Sequence, residues 1–300
     1  MARPLAVLTL ILCTLLWGFA FVFQKDAMDH MGPLTFTAIR YGIGSVLVLP
    51  LAYREYRRRR PVVGPPAAHQ WWQVLILVAT FFAGVWAQQA AMQVSSVTNG
   101  GFLTSLYVIF TPLAAFILVR HRPHPIIYLG APLALLGIYL LTGADLSRIT
   151  YGDLLLVLCA LSWAVQIAVL AELVQRTGMP VVMSLFCFAG TAILALAGVP
   201  FLEHPSIGGI AAAWIDILYT GVFSTAVAFT LQAIGQQYVP AANAAIVLSS
   251  ESLFAALAGA LLLGERLPPL GYLGAAIIFC SILMVEVVPQ LRRPTSAPAG

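Results

Sequence analysis

The chain has 300 residues, of which 61% are hydrophobic and only 9% are charged, and its mean hydropathy is +0.94. Soluble domains carry about 25% charged residues. No soluble core could bury this much apolar surface, so the composition excludes an ordinary soluble protein and indicates an integral membrane protein. The four cysteines and five histidines show no metal or disulfide spacing. We therefore predict no metal, no cofactor and no nucleic-acid partner.

Ten apolar runs have roughly the length that crosses a bilayer, about 20 residues. In chain order they lie near 4–24, 34–53, 71–93, 97–119, 126–142, 153–173, 180–200, 209–235, 241–263 and 270–288. Turn-forming or charged residues separate them, including Met31–Pro33 and the run Arg57–Arg60. The first run is too long for a signal-peptide core and lacks a small-residue cleavage site, so we expect a retained helix. The sequence predicts an all-α membrane protein with ten transmembrane helices.

Lysine and arginine are unevenly divided between the two sets of connecting segments. With the N-terminus inside, the inner segments hold 11 of these residues, which are Arg3, Arg54, Arg57 to Arg60, Arg120, Arg122, Arg176, Arg292 and Arg293. The outer segments hold 3, which are Lys25, Arg148 and Arg266, and Arg40 falls within the second run. Because cytoplasmic loops carry an excess of Lys and Arg, we predict a multi-pass protein of the cell (inner) membrane with both termini cytoplasmic.

The chain contains an internal duplication. Residues 88–142 recur at 232–286, shifted by 144 positions without a gap, and 15 of the 55 positions are identical. The polar matches include Gln88/Gln232, Asn99/Asn243, Ser105/Ser249, Arg122/Arg266 and Tyr128/Tyr272. Each half holds five predicted helices, an odd number, so the second half must enter the bilayer from the opposite side. We predict a 5+5 inverted repeat within one membrane domain, divided into 1–145 and 146–300, around a central cavity.

Polar side chains that lie inside a bilayer are costly, so they should face the bundle interior. In the ninth predicted helix, Asn243, Ser250 and Glu251 share one face. Asn99 and Tyr107 occupy the equivalent face of the fourth. We predict a substrate site between the halves, formed by Glu251, Asn243, Asn99, Tyr107, Gln89, Gln93, Gln232, Gln236, Ser250, Trp17, Trp163, Trp86 and Arg40.

Two charged residues stand out in this set, and each has a structural alternative. Glu251 could bind a substrate cation or take up a proton, or it could pin helices together through neighbouring serines. Arg40 could meet a substrate carboxylate, pair with an acid, or extend its side chain toward the interface.

Several of these features resemble the drug/metabolite transporter superfamily, and most closely its EamA-type exporters. They are Trp17-Gly18 in the first helix, Lys25 at its end, Arg40 in the second helix, and Leu263-Gly-Glu-Arg266 followed by Tyr272-Leu-Gly274. The resemblance covers about residues 4–288. Within the superfamily the chain is similar to the aromatic amino-acid exporters of the YddG type.

This resemblance implies a secondary exporter rather than an enzyme. We expect export of small amphipathic metabolites, above all amino acids with aromatic or apolar side chains, by alternating access within membrane lipid, with or without a coupled proton. A multidrug exporter of lipophilic cations is the alternative. An intramembrane enzyme would need a histidine cluster or paired acids at membrane depth, and a structural protein would not need a duplicated polar cavity.

Overall fold

The computed structural model describes residues 1–64, 68–95, 97–144, 150–262, 264, 266 and 269–291, and these residues are helical apart from short connections. Within the helices, the description leaves out the side chains of Val63, Ala68, His69, Val97, Thr98, Asn99, Gln290 and Leu291. Two of the predicted features, the Asn99 side chain and the boundary between residues 145 and 146, therefore lie outside the described residues.

We number the ten helical segments α1 to α10 in chain order. Seven are continuous helices: α1 (Arg3–Ala27), α2 (Pro33–Val63), α3 (Ala68–Met92), α5 (Ile127–Thr142), α6 (Tyr151–Thr177), α7 (Pro180–Leu202) and α10 (Pro269–Leu291). Three are interrupted: α4 (Val97–Thr104 and Tyr107–Val119), α8 (Trp214–Tyr219, a π-helix at Thr220–Phe229, and Thr230–Gln236) and α9 (Ala241–Leu248 and Glu251–Leu262). A short helix, Ile207–Ala212, precedes α8. Within the described ranges, nine helices are long and apolar enough to cross a membrane, and α5 is a shorter apolar helix.

Local sequence sets several helix ends. Proline occupies the first turn of α1, α2 and α7, where its missing N–H would have had no helical partner. At the start of α6, Thr150 and Asp153 form a reciprocal capping box. Gly143 and Gly178 end α5 and α6 with φ of +64° and +63°, a conformation that glycine adopts without a steric penalty.

The predicted break at Arg57–Arg60 was wrong, because α2 continues through it to Val63. Arginine is a good helix former, and the basic run extends the helix into water rather than ending it. At 31 residues, α2 is about 46 Å long, which exceeds the roughly 30 Å hydrocarbon layer.

The two ends of the described bundle meet at one membrane face. The Arg3 guanidinium lies 3.0 Å from the Glu286 carboxylate, which joins the start of α1 to the last turns of α10. An even number of crossings therefore separates these positions. The start of α1 and the end of α10 therefore lie at the same end of the bundle.

The α5 and α10 helices pack antiparallel through glycines. Gly130, near the start of α5, faces Val285 near the end of α10, whereas Gly274, near the start of α10, faces Leu141 near the end of α5. Gly130 and Gly274 are equivalent positions in the 144-residue duplication, as are Leu141 and Val285. Each repeat thus meets the other through the same surface in the opposite direction.

The other main contacts between helices also come in equivalent pairs, in which a helix of one repeat packs on helices of the other. Helix α1 packs on α8 and α9, as α6 packs on α3 and α4, and the helices α2 and α7 pack on each other. Since every main contact crosses from one half to the other, the halves are interleaved around a shared interior. The structure confirms the predicted all-α fold with two inverted five-helix repeats.

The breaks in α4 and α9 occur at equivalent places that the sequence did not reveal. The Ser105 hydroxyl donates to the Gly101 carbonyl, and the Ser249 hydroxyl donates to that of Ile246. Around both breaks the backbone N–H groups bond to carbonyls three residues back, as in Leu106 to Leu103 and Ser250 to Val247. These breaks directly precede Tyr107 and Glu251.

Candidate functional site

A cavity lies between the two repeats. Its walls come from α1, α2, α3, α4, α6, α8 and α9, and its volume is about 50 Å³. The lining residues are Trp17, Phe21, Gln24, Arg40, Tyr41, Gln88, Thr104, Tyr107, Trp163, Ile167, Ser224, Phe229, Gln232, Leu248 and Glu251. An apolar cavity that binds benzene measures about 150 Å³, so side chains nearly fill this one.

One carboxylate enters this cavity from α9. Glu251 begins the second part of that helix and is buried, with 8% of its surface exposed. The Tyr107 hydroxyl, at the equivalent position of the first repeat, lies beside it. Each side chain sits in the first turn after a helix break and lines the cavity.

One guanidinium enters from α2. Arg40 is 2% exposed, and its Nη1 donates to Gln24 Oε1 at 2.9 Å. Its guanidinium carbon lies 4.8 Å from the Tyr41 ring centroid and 5.0 Å from that of Phe36. The rings and the amide hold the cation without neutralising it.

The positive charge of Arg40 has no carboxylate partner in the described part of the chain, where the ion pairs are Arg3–Glu286 and Arg176–Glu172. Its Nε also has no hydrogen-bond acceptor among the described residues. Leaving a buried charge uncompensated costs several kcal/mol, on the order of 3–5 when a partner is removed. An anion that binds in the cavity would recover that cost.

Aromatic rings form the apolar wall. Phe229 lies between Trp17 and Trp163, with ring centroids 4.5 and 5.7 Å away. Trp17 Nε1 donates to the Ser224 carbonyl at 3.2 Å, within the π-helix of α8. Because the indole N–H is satisfied there, this hydrogen bond fixes the position of the ring in the cavity wall.

Amide side chains complete the lining. Gln232 Nε2 donates to Gln166 Oε1 at 3.3 Å, while Gln232 Oε1 has no partner among the described residues. Gln88, the equivalent of Gln232 in the first repeat, also lines the cavity. Unpartnered buried amide atoms are places where water or a substrate can bond.

Comparison with known proteins identifies the family. The sequence profile of the EamA-like transporter family matches residues 4–143 and, separately, 150–287. The chain belongs to the EamA-like transporter family. The two matches correspond to the two halves of the duplication.

Individual relatives of this EamA-like protein are also transporters. An uncharacterized transporter of Archaeoglobus fulgidus is 28% identical over 285 residues, which cover 95% of this chain and 87% of the relative. The uncharacterized transporter YwfM of Bacillus subtilis is 25% identical and covers 97% and 96% of the two chains. The chain is therefore an integral membrane transporter of a small-molecule substrate and not an enzyme.

A solved crystal structure resembles this EamA-like transporter over 97% of the chain and 100% of its own length. The TM-score is 0.78 and the sequence identity is 19%, which shows the shared fold alone.

The cavity brings together six of the thirteen predicted site residues of this EamA-like transporter. They are Trp17, Arg40, Tyr107, Trp163, Gln232 and Glu251. They come from six different helices and span both repeats. Their role in substrate binding stays a prediction.

The structure places six others outside the lining. Asn243 bonds to α10 through Val285 and Glu286, Gln236 bonds to the Ile167 carbonyl, and the hydroxyl of Ser250 contacts that of Thr14. Gln89 is buried against Met28, Trp86 packs against the buried cluster of Leu34, Ala195 and Val199, and Gln93 is exposed after α3. The thirteenth, Asn99, is outside the described side chains. The contact between Ser250 and Thr14 joins helices of opposite repeats, whereas the bonds of Asn243, Gln236 and Gln89 stay within one repeat.

Sequence reasoning passed over several lining residues, among them Tyr41, Gln88 and Thr104. One signal for Gln88 was available, because the identical pair Gln88/Gln232 begins the matched region. The others lie on helices where residue type alone did not separate cavity from core.

Proposed function

We propose that this transporter exports small amphipathic zwitterions, with aromatic or apolar amino acids as its main substrates, by alternating access. The observation that carries the proposal is the presence of Glu251 and an uncompensated Arg40 in one aromatic-walled cavity. An amino acid presents the complementary groups: an ammonium for the carboxylate, a carboxylate for the guanidinium and an apolar side chain for the rings.

The charges favour a zwitterion over the alternative, a lipophilic cation. A cation would gain from Glu251 and from the faces of Trp17 and Trp163. It would also meet the positive charge of Arg40, which is buried and lacks a carboxylate partner within the described chain. Arginine recognises carboxylates through paired N–H donors, and here the unpartnered Nε is one such donor.

Movement of the halves is required for binding. The cavity of about 50 Å³ is smaller than the roughly 150 Å³ of a cavity that binds benzene, so a substrate with a ring must enter a more open state. The breaks that precede Tyr107 and Glu251 give α4 and α9 a place to bend, as discontinuous helices do in other inverted-repeat transporters. Opening alternately toward each face would carry the substrate across, with a substrate gradient or a coupled proton as the driving force.

The orientation follows from the basic residues. We propose the inner membrane, with the Arg57–Arg60 face and both termini in the cytoplasm. Arginine-rich connections concentrate on this face.

Efflux from proteoliposomes tests the substrate class. The purified full-length protein would be reconstituted with radiolabelled phenylalanine, leucine, a non-zwitterionic amide of phenylalanine, or a cationic dye inside, and with or without a pH gradient. We expect efflux of the two amino acids and little efflux of the amide and the dye. Dye efflux without amino-acid efflux would replace this proposal with the drug-export alternative.

A further inference from the structure

A second cavity lies at the end of the bundle that carries Arg57–Arg60. It is a groove of about 330 Å³ between α2, α3, α6 and α7. The lining residues are Leu49, Ala52, Tyr53, Tyr56, Gln70, Trp71, Val74, Leu173, Thr177, Met179, Val182, Met183, Leu185 and Phe186. Nearly all of them are apolar or aromatic.

The groove has a buried floor and an exposed mouth. Leu173, Val182 and Met183 form the floor and are buried. Leu49 and Trp71 stand at the mouth and are 54% and 47% exposed. The hydroxyl of Thr177, one of the few polar groups in the lining, is already bonded to the Leu173 carbonyl. An apolar slot that opens sideways in a bilayer suits a hydrocarbon chain.

A basic surface adjoins this groove. A wider depression of about 1120 Å³ shares Tyr53 with the groove and is lined by Arg54, Arg57, Arg58 and Arg59, among others. The Arg57 guanidinium lies over the Tyr53 ring at 5.7 Å, so the cation sits at the lip of the groove.

The charge of this surface is available to a ligand. Within the described ranges, no carboxylate lies within ion-pair distance of Arg57, Arg58 or Arg59. The nearby acid, Glu55, is engaged by the first turn of α7, where it accepts a hydrogen bond from Val182 N at 2.9 Å. Glu55 lies in the same depression and interacts electrostatically with Arg59, so four arginines face one carboxylate there and the surface keeps an excess of positive charge.

The depth of these features matches a lipid. About 20 residues of helix cross the hydrocarbon layer, so α2, which begins at Pro33, leaves it near Tyr53. The groove residue Leu49 then lies at acyl-chain depth, and Arg57 lies at the level of the phosphates. The apolar groove therefore lies at the depth of a phospholipid's acyl chain, and the basic rim lies at the depth of its headgroup.

We propose that this groove and its basic rim form a binding site for one anionic phospholipid. An acyl chain fills the groove between α2, α3 and α7, and the phosphate lies among Arg54, Arg57 and Arg58. Anionic headgroups are attracted to clustered arginines next to a membrane helix, whereas a zwitterionic headgroup brings a positive charge of its own.

Native mass spectrometry of the full-length protein in detergent tests the site. The probes are phosphatidylglycerol and phosphatidylcholine with identical acyl chains. We expect one phosphatidylglycerol to be retained at least tenfold better than phosphatidylcholine. The double variant Arg57→Gln/Arg58→Gln should lose that preference, since both side chains are exposed and the fold does not depend on them.

A charge-matched control is Arg120→Gln/Arg122→Gln, which removes two exposed arginines from the same face but away from the groove. It should retain phosphatidylglycerol like the unaltered protein. A phosphatidylglycerol with a photoreactive group in its acyl chain should crosslink to groove residues such as Met183 and Phe186. The proposal would be overturned by equal retention of both lipids, or by crosslinks outside the groove. It would also be overturned if the control variant lost the preference for phosphatidylglycerol as fully as the Arg57→Gln/Arg58→Gln variant. Displacement of the lipid by a transported amino acid would also overturn it, and would make the groove an entrance for substrate.

Discussion

The two repeats share a scaffold but contribute different chemistry to the cavity. Trp17 and Trp163 occupy corresponding first helices, and Gln88 and Gln232 are a matched pair, so the walls are nearly symmetric. The charges are not. Glu251 in the second repeat corresponds to Tyr107 in the first.

The positive charge comes from the other repeat. Counted from Pro33 and Pro180, which begin α2 and α7, Arg40 corresponds to Cys187. A symmetric site would hold a substrate in two equivalent directions. In the function that we propose, one acid from one repeat and one base from the other hold the substrate in a single direction.

The largest expected effect comes from removing the charge that only the second repeat carries at this pair of positions, Glu251. Glu251→Gln keeps the shape and a hydrogen-bonding group but removes the charge. We expect amino-acid efflux to fall about 100-fold, which corresponds to about 2.7 kcal/mol. The equivalent change in the other repeat, Tyr107→Phe, should cost less than about tenfold. Efflux from proteoliposomes, normalised to reconstituted protein, measures both, and wild-type efflux by Glu251→Gln would assign this residue a purely structural role.

The second effect concerns the charge from the first repeat. Arg40→Met keeps an unbranched side chain and removes the buried cation. We expect amino-acid efflux to fall about 30-fold, or about 2 kcal/mol, while efflux of a cationic dye stays level or rises.

Stability separates this outcome from misfolding. Because replacing a buried unpaired charge by an apolar side chain removes a desolvation cost, the melting temperature of Arg40→Met should not fall. If Arg40→Met lowers both transport and the melting temperature, Arg40 supports the fold through its hydrogen bond to Gln24 instead.

The sequence alone predicted the scaffold well, because the bilayer imposes span length and the odd number of helices per repeat imposes inversion. It predicted the cavity less well where helices depart from the ideal. Asn243 and Glu251 share a face of a straight helix, but α9 breaks at Ser249 and Ser250, so Asn243 turns to α10. The π-helix in α8 likewise changes the phase before Gln236, which turns to α6. Glu251 was found because a lone acid in an apolar helix stands out whatever its phase.

The third effect tests the scaffold at equivalent glycines. A Cβ at Gly274 would meet the backbone of Gly137 and Leu141, whereas one at Gly130 would first meet the Val285 side chain, which can adjust. Gly274→Ala should therefore destabilise the protein by about 1–3 kcal/mol, and Gly130→Ala by less. Gly42→Ala is the control, since nothing lies within 4 Å of its Cβ position and alanine favours the helix. Thermal unfolding in detergent measures all three, and equal losses at Gly274 and Gly130 would contradict the comparison.

The smallest effect concerns two carboxylates that perform the same task on opposite membrane faces. Glu203, which follows α7, accepts hydrogen bonds from Leu34 N at 2.7 Å and Thr35 N at 2.8 Å in the first turn of α2, and a third from the Thr35 hydroxyl. Glu55, in α2, accepts one from Val182 N in the first turn of α7. A carboxylate at a helix N-terminus satisfies free N–H groups and the helix dipole, and losing such a cap costs about 1 kcal/mol.

Glu203→Gln should lower the unfolding free energy by about 1–2 kcal/mol and Glu55→Gln by about half as much, since fewer donors lose their charged acceptor. Thermal unfolding of the two variants in one detergent gives the order directly, and a larger loss for Glu55→Gln would show that the caps are not equivalent devices.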